Sequence, residues 1–163
     1  MTEPTRPIPL AELSTDPTPF SLHADAESRE TLAKRYDVQD IASLSADGKL
    51  RKSGSMVRVE GHLLADLGRT CGVSLEPMRE KIDEDFEVVF SKDRPAEVEG
   101  EVEADLDAPE PLEDDAIDLW AVVLEQLVLA MSPHPRKEGA TPPEDPGKAE
   151  ESSPFAVLKS LEQ

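Results

Sequence analysis

The chain has 163 residues, enough for one modest domain with tails. Its formal charge of −19 argues against wrapping nucleic acid, and aromatics at 4% exclude a ring-rich core. A single cysteine excludes an internal disulfide and fits a reducing compartment, and Met1-Thr2-Glu3-Pro4 lacks the basic start of a secretory signal, so a cytoplasmic location is expected.

Residues 1–19 carry five prolines and are expected to be a flexible Pro-rich N-terminus, because proline disfavours a regular helix. A single α+β domain is expected over 20–131. Phe20-Ser21-Leu22-His23 reads as a short strand. Asp25 caps a short helix through Leu32, Ala33 and Tyr36, with Glu27 and Glu30 near the positive end of its dipole. Apolar residues from Ile41 to Leu67 then fall in short runs separated by Asp47-Gly48 and Ser53-Gly54. Asp-Gly between strand-like runs is a hairpin signal. Val57-Arg58-Val59-Glu60 alternates with period two, as does Ile82-Asp83-Glu84-Asp85-Phe86-Glu87-Val88 less cleanly. A small antiparallel sheet is expected over about 40–91.

Residues 92–114 include Pro95, Pro109 and Pro111 among many acids and read as an exposed acidic loop. From Asp83 to Asp118 there are 16 acidic residues against two basic, whereas Arg29–Lys81 holds ten basic and eight acidic. Asp114 or Asp115 is placed to start a long, mostly buried helix, with Ile117, Trp120, Ala121, Leu124, Leu127, Val128 and Met131 at helical spacing. This apolar stretch is too short and too polar for a membrane span, which needs ~20 apolar residues. Ser132-Pro133 and His134-Pro135 stop the helix. Residues 132–152, with five prolines and two glycines, read as a linker. A C-terminal helix is expected over 153–163, capped by Ser153 with Pro154 in its first turn and Phe155, Leu158 and Leu161 on one side.

No phosphate loop, dinucleotide turn, zinc-protease helix or serine-hydrolase elbow occurs. His23, His62 and His134 form no helix-spaced metal pair. In so acidic a chain, carboxylate pairs read as a solvated face. Cys71 stands beside Gly72 in a turn between two expected strands. Position 74, where a zinc knuckle places its second thiolate, is Ser74, and no other cysteine exists. Cys71 is therefore expected to be a packed or partly exposed thiol rather than a metal ligand or a nucleophile. No cofactor, metal or catalytic residue is expected, and the chain is read as non-enzymatic.

Three segments in order resemble the YceD family, the large ribosomal RNA subunit accumulation proteins. The first is Arg69-Thr70-Cys71-Gly72-Val73-Ser74-Leu75-Glu76-Pro77-Met78, continued by Ile82 to Phe90. The second runs from Ala116 to Met131 and on through Pro133-His134-Pro135-Arg136-Lys137. The third is Ser153-Pro154-Phe155-Ala156-Val157-Leu158-Lys159-Ser160-Leu161. The resemblance covers about two-thirds of the chain and points to the branch lacking the second cysteine of Cys-x-x-Cys. It implies a role in accumulation or processing of large-subunit (23S) rRNA, in ribosome assembly.

Charge suggests how such a role works. A basic ribosomal or RNA-processing protein, carried or not on a precursor large-subunit particle, is the expected partner, and no membrane is. The acidic segment would speed encounter. Phe155, Leu158 and Leu161, with Asp118 and Trp120, are the candidate partner-binding residues. Two other readings stand beside it. Direct rRNA binding would use Lys34, Arg35, Lys49, Arg51, Lys52, Arg58 and Arg69, with Tyr36 for stacking. A nuclease would hold magnesium through carboxylates of 83–118, which a proline-broken loop positions poorly.

Overall fold

The computed structural model describes residues 3–93, 108–112 and 114–142. A five-stranded sheet carries the fold, in the order β2-β3-β4-β5-β6. Its strands are β2 (Thr18–His23), β3 (Asp40–Ser53), β4 (Met56–Thr70), β5 (Pro77–Ser91) and β6 (Glu110–Pro111). A separate ribbon pairs β1 (Pro7–Pro9) with β7 (Ala116–Asp118). Helices α1 (Ala26–Arg35) and α2 (Leu119–Ala130) contribute to one hydrophobic core with the sheet.

The class is α+β, as the alternation of strand and helix signals predicts, but the sheet is mixed. β2 to β5 are antiparallel, and β6 runs parallel to β5. The strands are also longer than the short apolar runs suggest. Asp47-Gly48 is not a turn. It lies inside β3, where Gly48 faces Gly61 of β4. A Cβ on Gly48 would fall on the carbonyl oxygen of Glu60, so the glycine serves close strand approach. The hairpin turns one step later, at Gly54 and Ser55. Gly54 has φ +61° at the first central position, where a II′ turn needs positive φ.

The inner face of the sheet carries Phe20, Leu22, Leu44, Ala46, Leu50, Val57, Val59, Leu63, Ala65, Leu67, Ile82, Phe86 and Val88, all buried. Alternate residues of each strand share a face, so the intervening positions form a polar outer face. Leu32 and Ala33 of α1 and Leu119, Val123 and Leu127 of α2 close the core. Burying each leucine of this set is worth ~1.5–3 kcal/mol. Asp25 caps α1 as the sequence suggests, accepting from the Ser28 N–H at 2.8 Å.

Three expectations need correction. The N-terminus is structured where described: β1 is followed by a 3-10 turn, Leu10–Glu12, and both Leu10 and the next residue after the turn, Leu13, are buried. Arg6 O accepts from the Leu119 N–H and the Leu10 N–H donates to Asp115 O, so even-numbered backbone groups face β7. Pro7 and Pro9 thus turn their missing N–H positions away from the ladder, which is why a proline-rich stretch forms a strand. The helix expected from Asp114 or Asp115 starts only at Leu119, because β1 recruits Ala116–Asp118 as a strand. It is short and one-sided rather than long and mostly buried, with Val128 47% and Leu129 72% exposed. The acidic loop and the linker fall largely outside the described residues. The described start of the linker, 132–142, is hydrogen-bonded to the turn at Cys71 and, through the Ser132 N–H, to Glu80 of β5. The C-terminal helix, with Phe155, Leu158 and Leu161, lies outside the described residues.

Candidate functional site

The outer face of β3, β4 and β5 carries most of the charge placed by the sheet. Its rows follow from register. Lys49 stands opposite Glu60, and Glu60 opposite Glu87. Asp47 stands opposite His62, and His62 opposite Asp85. Direct and diagonal neighbours on one sheet face lie within side-chain reach.

The basic residues named as RNA candidates are engaged on this scaffold. Lys49 and Arg51 reach Glu60 at 3.0 and 3.1 Å, and Arg58 reaches Glu87 at 2.5 Å. Lys34 pairs with Glu30 one turn earlier on α1. Arg35 pairs with Glu3 and stacks 5.7 Å from the Tyr36 ring centre. Lys52 donates to the Leu10 carbonyl. Arg69 pairs with Glu80 at 2.7 Å and also donates to the Ser132 carbonyl at 3.1 Å. A phosphate would have to displace a carboxylate or a carbonyl at each of these positions.

The acidic side is less balanced. Asp83, Glu84, Asp85 and Glu87 crowd five consecutive residues of β5. His62 sits between two of them, with Nδ1 2.7 Å from Asp85 and Nε2 3.1 Å from Asp83. Both ring nitrogens facing carboxylates fits a doubly protonated ring. The hydrogen bond to Asp85, then the charges of Asp83, Asp85 and Asp47, raise its pKa above the ordinary histidine value. Glu84 points to the other side. There, between β5 and α2, lies a groove of about 360 Å³ lined by Leu63, Phe86, Leu129 and Ala130 among others.

The two described residues of the expected partner-binding set have structural tasks. Asp118 caps α2, accepting from the Trp120 N–H at 2.9 Å and from the Arg6 N–H at 2.8 Å. Trp120 lies in the core, 6% exposed. What the sequence did not single out is the pairing of the β5 acids with the exposed end of α2. The alternation in Ile82–Val88 was the available signal, and the placement of α2 beside it was not.

Cys71 is packed, with no exposed surface. Its turn closes when the Cys71 N–H donates to Glu76 O and the Leu75 N–H donates to Cys71 O, both at 2.9 Å. The sulfur accepts from the N–H groups of Ser74 and Lys137 at 3.4 Å. Ser74, through hydroxyl and N–H, and then Lys137 lower the thiol pKa to about 6. Gly72 donates to Pro135 O, so the chain after α2 is fastened to this turn. Among the described residues no group of three or more His, Cys, Asp or Glu is placed to hold a metal ion. His23 and His134 are exposed and stand apart from His62 along the fold. No helix among the described residues is long and apolar enough to cross a membrane.

The family described as "Large ribosomal RNA subunit accumulation protein YceD" has a model that matches residues 59–162. No curated protein and no solved structure matches the chain. The matched range begins in β4 and takes in the Cys71 turn, the β5 carboxylates and α2.

Proposed function

Because this chain belongs to the YceD family, whose description is accumulation of the large ribosomal RNA subunit, we propose that it supports 23S rRNA accumulation by binding a basic protein. The partner is a ribosomal or RNA-processing protein, free or on a precursor large-subunit particle, and the action is non-enzymatic. The family description concerns accumulation rather than a catalytic step.

One observation carries this reading. Lys49, Arg51, Arg58 and Arg69 each meet a carboxylate of the chain, while Asp83 and Asp85 share the single His62 and the chain as a whole carries a charge of −19. A surface of this sign raises the encounter rate with cationic partners and repels phosphate. Affinity purification from growing cells, with proteins and rRNA identified together, tests it. Recovery of a basic protein that survives nuclease treatment is the expected result. Recovery of RNA alone, lost at high salt and with no basic protein, would sink it and favour direct RNA binding.

A further inference from the structure

We propose that the outer edge of β5 is a docking site for an extended basic segment of the partner, which adds to the sheet as a further strand. This rests on the reading of a basic partner and assigns it a place and a geometry.

Backbone parity identifies the open groups. The Leu112 N–H of the β6 side donates to Ser91 O at 2.8 Å, so the backbone of Ser91 faces away from β4. The Lys92 N–H donates to Ser55 O on the β4 side. The β4–β5 register is unbroken from Met56↔Ser91 to Thr70↔Pro77. Alternation therefore turns the N–H and C=O of Lys81, Asp83, Asp85, Glu87 and Val89 outward. The closing pair of the β3–β4 hairpin, Ser53↔Met56, gives the same parity from the other side of β4. Among the described residues, β6 covers this edge only opposite Phe90 and Ser91. A long strand edge with unpaired groups is a template for strand addition.

Charge selects the occupant. Beyond Lys81, the side chains of Asp83, Asp85 and Glu87 flank this edge on the outer face, and a groove lined by Glu84, Phe86, Gln126, Leu129 and Ala130 flanks it on the inner face. A segment alternating Lys or Arg with apolar residues matches both. The chain's own remaining segments do not: 94–107 hold six carboxylates and one arginine, and 143–163 hold five carboxylates and two lysines. A second copy pairing edge to edge would leave the inner-face groove without the apolar residues of an alternating partner segment, and it would protect the β5 edge amides in the free chain, which the test below reads directly.

The test uses the full chain and a nine-residue peptide alternating lysine with valine, together with two twins N-methylated at the lysine or at the valine positions. In a strand, alternate residues point their N–H to opposite sides, so only one twin should lose affinity. Antiparallel addition makes it the lysine twin, with a loss of about tenfold, the scale of one or two backbone hydrogen bonds. Hydrogen exchange at the Asp83, Asp85 and Glu87 amides should slow only when peptide is added. Equal affinity of the two twins overturns the proposal. So does protection of those amides in the free chain, which would mean that another part of the chain or a second copy already covers the edge. If cells still yield a basic partner while the twins bind alike, the functional reading stands and the docking mode falls.

Discussion

Phe86 of β5 lies over Gly61 of β4, so closely that a Cβ on the glycine would stand 2.5 Å from the ring's Cζ. The same row continues across the sheet. Phe20 packs over Gly48 from the other side, with its Cζ 2.7 Å from where a Cβ would sit. Registers Phe20↔Gly48, Gly48↔Gly61 and Gly61↔Phe86 place two glycines between two rings on the inner face. The rings fill the space that side chains at 48 and 61 would need.

Alanine at either glycine is expected to destabilise the protein, and Gly48→Ala by more. At Gly61 the obstruction is the end of a side chain that can turn aside, at an overpacking cost of about 1–3 kcal/mol. At Gly48 the obstruction includes the Glu60 carbonyl and the Gly61 Cα at 2.8 Å, which move only if the strands separate. Denaturant midpoints of the two variants check the order. Equal midpoints would show that the β3–β4 backbone yields as readily as the Phe86 ring.

His62 is expected to titrate above the ordinary histidine value, because Asp85 hydrogen-bonds it and Asp83 and Asp47 add negative charge. A raised folded-state pKa stabilises the fold fully below the unfolded value. That contribution is lost as pH rises through the folded value. Asp85→Asn should return the His62 ring signals in an NMR pH titration toward the ordinary value. An unchanged titration in that variant would remove Asp85 as the principal cause.

Cys71 is expected to be largely thiolate at neutral pH and yet slow to alkylate. Its pKa of about 6 comes from Ser74 and Lys137, while the sulfur has no exposed surface. The sign for a depressed thiol is the reverse of that for His62. Its stabilisation is complete above the ordinary value near 9 and is lost as pH falls through about 6. Stability of Cys71→Ser relative to the parent should therefore worsen as pH rises across that window, while partner binding is retained. Fast alkylation of the native chain would contradict the packing of the turn. Loss of partner binding by a folded Cys71→Ser would give the thiol a task beyond it.

The sequence alone determined the α+β class, the strand at 20–23, the Asp25 cap with its helix, the Cys71 turn between strands and the membership suggested by three ordered segments. Each of these rests on local chemistry: a period of two, a capping carboxylate or a motif of adjacent residues. Tertiary structure decided the rest. Asp47-Gly48 has the local composition of a turn, and only the close approach of β4 shows that the glycine belongs mid-strand. Ile117 fits a helix stripe, and only pairing with Ile8 makes it a strand residue. Pro7 and Pro9 suggest an irregular tail until β7 supplies a partner for the even-numbered groups between them. The β5 carboxylates were visible as charge, but an open edge is a property of what lies beside a strand. No local pattern records it, because neighbours in a sheet come from distant parts of the chain.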